Sequence, residues 1–136
     1  YRERSFMDFK TYQKESYTAI QPHADQKEEI MHWMIGLSEE VGEVAKHIKH
    51  HYYGREPLDI EAIAKELGDV LWHLNALAAA FEIDLEDVAV LNLFKTKNRY
   101  PTGEFSFERS IERHKIDKEL SDPTYEQITD KYKRRM

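Results

Sequence analysis

The sequence predicts an all-α fold, and two observations carry the prediction. Glycine and proline are scarce, at five and four among 136 residues, and no strictly alternating run is bounded by turn signals. Apolar residues instead recur in steps of three and four through two long segments. The first helix is expected over about residues 6–20, weakly amphipathic and closed by a turn at Gln21, Pro22 and His23. The second is expected over about 25–51, where Ile30, Met34, Leu37, Val41, Val44 and Ile48 form one apolar stripe that reads as a core face. Gly54 and Pro57 predict a loop over 52–58, and Asp59 is placed to cap the third helix. That helix carries Ile60, Ile63, Leu67, Val70, Leu74, Leu77 and Phe81 at helical spacing. Because the connection is short, the two striped helices are expected to pack antiparallel. A fourth helix is expected over about 85–97, with Asp84 as its cap and Asp87 in its first turn, where negative charge suits the helix dipole. Arg99, Tyr100, Pro101 and Gly103 end it. Beyond Phe105 the chain is highly charged, with one or two helices broken near Pro123 and an end expected to fray over 131–136. The expected organisation is a helical domain over 1–104 and a charged helical extension over 105–136.

Composition narrows the function. With 40% hydrophobic and 34% charged residues the chain is polar for a globular protein, so a second copy is expected to cover part of its apolar surface. Twenty basic against twenty-six acidic residues give a net charge of −6, which disfavours capture of a nucleic-acid polymer by phosphate neutralisation. A small anionic ligand is admitted where cations mediate. The lack of cysteine excludes disulfides, thiolate metal sites and cysteine nucleophiles. It also suits a cytoplasmic setting, the location expected here. No segment is apolar for long enough to span a bilayer, and no signal-peptide pattern opens the sequence.

The informative feature is an internal echo. Glu40-Val41-Gly42-Glu43-Val44 on the second helix matches Glu66-Leu67-Gly68-Asp69-Val70 on the third: acid, apolar, glycine, acid, valine. Residues three apart share a helical face, so each helix presents two carboxylates beside its apolar stripe. If the helices pair through their stripes, four carboxylates converge, and their repulsion calls for compensation by cations or protons. Hard oxygen donors without thiolates favour magnesium or manganese. A mid-helix glycine costs roughly 1 kcal/mol relative to alanine, so Gly42, Gly68 and Gly36 call for close helix approach or room for a ligand. Solvated acid pairs are the alternative for either pair alone.

These residues resemble the MazG-type all-α nucleoside triphosphate pyrophosphohydrolases, the group that includes the dCTP pyrophosphatases and dimeric dUTPases. The resemblance covers roughly residues 9–106. It rests on Gly36-Leu37-Ser38-Glu39-Glu40-Val41-Gly42-Glu43-Val44, on Glu66-Leu67-Gly68-Asp69-Val70-Leu71-Trp72, and on Asn92, Lys95 and Arg99-Tyr100-Pro101. The family pattern is one ExxE pair followed by one ExxD pair on the next helix. It implies a helical bundle whose four-helix core is completed by oligomerisation, as a homodimer or homotetramer. It further implies that Glu40, Glu43, Glu66 and Asp69 bind Mg²⁺, with Mn²⁺ able to substitute. The implied reaction cleaves the α,β-phosphoanhydride of a (d)NTP to the monophosphate and pyrophosphate, in the service of nucleotide-pool cleaning.

The other candidate residues follow from position. Metal ions can neutralise a triphosphate and activate water, so no side-chain nucleophile is needed. Glu39, or a ligand such as Glu43, is a candidate to accept the water's proton, against the plainer reading of Glu39 as a solvated helix position. Asn92, Lys95 and Arg99 come at steps of three and four and can offer an amide and two cations to phosphate, or simply complement the helix dipole. Lys97 and Asn98 point elsewhere and are expected to be exposed. His73, one turn beyond Asp69, is a candidate substrate contact or a packing residue. Trp33, seven residues before Glu40, is a candidate to stack on the nucleobase or to pack an interface. His47, His50 and His51 with Lys49 read as a solvated, cation-rich helix end, with Lys49 a candidate phosphate contact. Selective base contacts vary within the family, and no segment here selects among cytosine, uracil, guanine and noncanonical bases. Two rival readings stand beside this one. A di-iron carboxylate bundle would need two Glu-x-x-His pairs, and only Glu29 to His32 fits. A non-catalytic helical interaction module would leave the acids merely solvated.

Overall fold

The computed structural model describes residues 7–16 and 22–135, and among these every regular element is helical. In chain order they are α1 (Phe9–Ser16), α2 (Gln26–Gly54), α3 (Ile60–Ala80), α4 (Leu85–Arg99), α5 (Phe107–Ile111), α6 (Arg113–Lys118) and α7 (Pro123–Lys133). The expected extension of the first helix to Ile20, and Gln21 of the expected turn, lie outside the described residues. The chain forms two compact units, Tyr1–Leu85 and Glu86–Met136. No described helix is long and apolar enough to cross a membrane.

In the first unit, α2 and α3 start where their caps dictate. The Asp25 carboxylate accepts the Glu28 N–H at 2.8 Å, and Asp59 accepts that of Ala62 at 2.9 Å, each supplying a partner that the first helical turn lacks. The end of α2 differs from expectation. Tyr52, Tyr53 and Gly54 are helical, and the loop shrinks to residues 55–59. Gly54 does not break the helix; Arg55 takes the left-handed conformation instead (φ 57°), and its N–H bonds to the His50 carbonyl. The histidines hold the tightened loop, with His51 Nδ1 2.8 Å from the Glu56 carbonyl and His50 Nδ1 3.7 Å from the Glu56 carboxylate.

The helices α2 and α3 run antiparallel, because early residues of one meet late residues of the other. Gln26 donates to the Ala80 carbonyl at 3.0 Å, the Trp33 ring meets Trp72 at 5.2 Å, and His47 reaches Glu66 at 3.5 Å. The buried centre of this hairpin is Trp33, Ala76 and Ala80, flanked by Ile30, Trp72 and Leu77. The apolar stripes are therefore only partly a core face. Ile30, Leu37, Val44, Ile63, Val70 and Leu77 are half-buried at its margin. By contrast Met34, Val41, Ile48, Ile60, Leu67 and Leu74 are 37–63% exposed, and Phe81 is 45% exposed. Two helices can each bury only the arc that faces the other, and alanines supply most of that arc on α3.

The short α1 lies against α3. Asn75, 1% exposed, donates to Ser16 Oγ at 3.1 Å, and the Ser16 hydroxyl in turn donates to the Tyr12 carbonyl. Gln13 ties α1 to the end of the unit, donating to the Ile83 carbonyl and accepting the Leu85 N–H, both at 3.0 Å.

Polar contacts tie the helices of the second unit to one another. Arg99 forks onto Asp117, Arg109 donates to the carbonyls of Asn98 and Arg99, and the Asn98 amide donates to the Ile116 carbonyl at 3.3 Å. Asn98 is thus half-buried and bonded, contrary to the exposed position expected for it; the acceptor that orders it comes from α6, beyond the reach of helical spacing. Pro123 opens α7 at its first turn, with Asp122 as the cap. Tyr132 and Lys131 of that helix bond Asp87 at 2.6 and 2.9 Å.

Candidate metal centre

Glu40 of α2 and Glu66 and Asp69 of α3 each bring one carboxylate oxygen within 4.8 Å of the other two. The antiparallel register sets this juxtaposition. Glu40 lies seven residues beyond the buried Trp33, on nearly the same face of α2, while Glu66 and Asp69 lie at the matching level of α3. The electrostatics agree with the geometry. Glu40 has its carboxyl pKa raised, first by burial and then by the charge of Asp69, with His73 opposing and Glu66 and Glu39 adding to it. Three hard oxygen donors that repel one another suit a divalent cation, which would relieve the repulsion and leave coordination positions for water and phosphate. No thiolate or imidazole need enter the set.

The remaining candidates are placed as follows. Glu43 is not among the three; its carboxylate turns to Lys46 at 2.5 Å, which lowers its pKa. Glu39 is exposed beside Glu40. His73 is half-buried, with Nδ1 2.9 Å from the carbonyl of Asp69. Trp33 is 2% exposed, stacked on His32 at 4.6 Å and edge-on to His23, Trp72 and His73, so it is a core residue of the hairpin with one ring face covered by His32. Lys49 is exposed on α2. In the second unit, Lys95 and Arg99 do come together, on Asp117 at 3.8 and 2.5 Å, while Asn92 is exposed. Gly42 and Gly68 have open space where a side chain would stand, so neither serves close helix approach within this chain. Gly36 does.

Two neighbours of the acids escaped the sequence reading. His47 is half-buried against Glu66 rather than solvated, and its position seven residues after Glu40 was the available signal. Tyr12 of α1 is close enough to Asp69 for that charge to add to the burial that raises its hydroxyl pKa. Nothing in the spacing of α1 pointed there.

A hairpin that gathers carboxylate oxygens from both helices defines a helical carboxylate protein with the donor chemistry for a divalent cation. The profile of the MazG nucleotide pyrophosphohydrolase domain matches residues 26–104, and the chain belongs to that family. The match takes in α2, α3 and α4 and both acid pairs. Among curated relatives, the chain is 36% identical over 72 residues to the uncharacterized protein YpjD of Bacillus subtilis (strain 168), covering 48% of this chain and 64% of that one. It is 32% identical over 95 residues to the Gene 37 protein of Mycobacterium phage L5, covering 65% of this chain and 83% of that one. No solved structure gives a significant match.

The acid cluster makes a stability prediction with a definite sign. Because the folded pKa of Glu40 is raised above its ordinary 4.5, the associated stability is present below that value and lost as pH rises through the folded one. In metal-free protein at pH 7, Glu40→Gln is expected to stabilise the fold by less than about 1 kcal/mol given the partial exposure, read as a higher melting temperature. The gain should vanish near pH 4, where Glu40 is itself protonated. Excess Mg²⁺ should reverse the order by stabilising the parent selectively. Thermal melts at the two pH values, with and without Mg²⁺, check all three signs.

Proposed function

We propose that the protein is a Mg²⁺-dependent nucleoside triphosphate pyrophosphohydrolase that cleaves a (d)NTP to the monophosphate and pyrophosphate. One observation carries the reading: acids from both halves of the family's paired motif, on two different helices, converge within 4.8 Å. When bound, Mg²⁺, or Mn²⁺ in its place, supplies charge neutralisation and Lewis-acid activation of the α-phosphorus.

The chain's own residues divide the remaining tasks. Glu40, Glu66 and Asp69 would hold the cation, with Glu43, paired here with Lys46, as the fourth proposed ligand. Glu39, exposed and adjacent, accepts the proton of the attacking water, with Glu43 as the other candidate. Asn92, Lys95 and Arg99 grip phosphate oxygens, the two cations exchanging Asp117 for the more highly charged polyphosphate. Lys49 adds charge at the end of α2, and His73 contacts the substrate beside Asp69. Trp33 underlies the base site; direct stacking on its indole would require His32 to move. The helical domain over 1–104 is the catalytic part, and 105–136 an extension that supplies Asp117.

A second copy is proposed to cover the exposed apolar face of the hairpin, giving a homodimer or homotetramer in the cytoplasm that removes unwanted nucleotides from the pool. A panel of canonical and modified nucleotides, incubated with Mg²⁺ and resolved by product chromatography, tests the activity. Monophosphate and pyrophosphate are expected from at least one nucleotide. Release of orthophosphate would move the cleaved bond, and no Mg²⁺-dependent turnover of any nucleotide would leave a helical binding module.

A further inference from the structure

The contact between Gly36 and His73 lies one helical turn from the acid cluster on both helices, since Glu40 follows Gly36 by four residues and Asp69 precedes His73 by four. Gly36 is buried, and a Cβ placed on it would stand 2.5 Å from Cδ2 and 2.7 Å from Nε2 of His73. The imidazole is therefore packed directly onto the α2 backbone. It has little room to retreat. Nδ1 is held 2.9 Å from the Asp69 carbonyl, and the ring lies edge-on between Trp33 at 6.0 Å and Trp72 at 5.1 Å. By contrast Gly42 and Gly68 have open space where a side chain would stand. Of these three glycines, only the one beside the acids is packed against the other helix, through the His73 ring.

We infer that Gly36 and His73 form a spacer that sets the separation of α2 and α3 at the level where Glu40 meets Glu66 and Asp69. Both are positioning residues in this role, acting through the carboxylates. The inference rests on the reading of those three acids as the cation-holding set. An added methyl at residue 36 would push against a ring that is hemmed in, part the helices, and move Glu40 away from its partners on α3. Alanine is otherwise preferred over glycine inside a helix, so only the clash makes the change unfavourable.

The test is a double-mutant cycle on the full chain, read by binding of Mn²⁺ alone through loss of its free-ion paramagnetic resonance signal, with thermal melts in parallel. Gly36→Ala is expected to weaken Mn²⁺ binding at least tenfold in the parent and no more than twofold in the His73→Ala background. In that background it should also raise the melting temperature, as helix propensity alone dictates. If Gly36→Ala fails to fold but Gly36→Ala with His73→Ala folds and binds as His73→Ala does, the spacer is supported. Unchanged Mn²⁺ affinity in Gly36→Ala, or equal losses in both backgrounds, overturns it. So does failure to fold in both. A parent that binds no Mn²⁺ overturns the metal reading itself and the coupling with it, an outcome distinct from a parent that binds and a Gly36→Ala variant that binds equally well.

Discussion

Replacing Asp69 by Ala is expected to lower Mg²⁺-dependent pyrophosphate release by roughly a thousandfold, about 4 kcal/mol of transition-state stabilisation, while the helical circular dichroism is kept. The two halves of this expectation have separate causes. Activity should fall because Asp69 supplies one of three carboxylates within 4.8 Å of each other, and two remaining donors hold a hard cation poorly. The fold should persist because the part of Asp69 that orders its surroundings is its backbone: the carbonyl, which alanine retains, bonds His73. Asp69 is also exposed and helical, where alanine has the better propensity, and its charge repels that of Glu40. Glu43→Ala is expected to fall as far if Glu43 becomes the fourth ligand. Full activity in Glu43→Ala would reduce the set to three acids, and full activity in Asp69→Ala would remove the metal assignment altogether.

Asp69 enters the cluster and Glu43 does not, a difference that spacing alone does not encode. The echo of acid, apolar, glycine, acid, valine placed both pairs on the correct helices, since a three-residue step is a local property. Whether both members of a pair enter the cluster is not local: Glu66 and Asp69 do, and of the first pair only Glu40 does. Residues three apart still differ by about 60° around the helix, and the approach of α3 decides which side is enclosed. Glu40 falls inside the arc; Glu43, one turn on, finds Lys46 on its own helix first. The same limit separates the two ends of α2. Its start was legible because the turn signal around Pro22 precedes it, whereas its end depends on Arg55 accepting a left-handed conformation held by His50, His51 and Glu56. Arg99 illustrates a longer reach, since its partner Asp117 stands 18 residues away on α6.

The apolar stripes were legible as stripes, but a stripe does not say what covers it. Leu67→Asp is expected to convert the protein from an oligomer to a monomer at micromolar concentration. Met34, Val41 and Ile48 on α2 and Ile60, Leu67 and Leu74 on α3 all remain 37–63% exposed. On each helix they lie about 100° from the buried arc in the same rotational sense, which in an antiparallel pair brings both rows to one side of the hairpin. Such a continuous apolar face favours a partner, and a symmetric one counts every substitution twice. Each leucine withdrawn from water contributes about 1.5–3 kcal/mol, so a doubled loss, with two carboxylates added to an apolar contact, should weaken association by at least about a hundredfold. Lys65→Asp, on the exposed surface of α3 where Lys65 pairs with Glu61, introduces the same carboxylate away from this face and should leave the assembly intact. Sedimentation velocity over a dilution series distinguishes the cases. A parent that is monomeric throughout, or an unchanged mass in Leu67→Asp, would mean that no second copy of the chain covers this face.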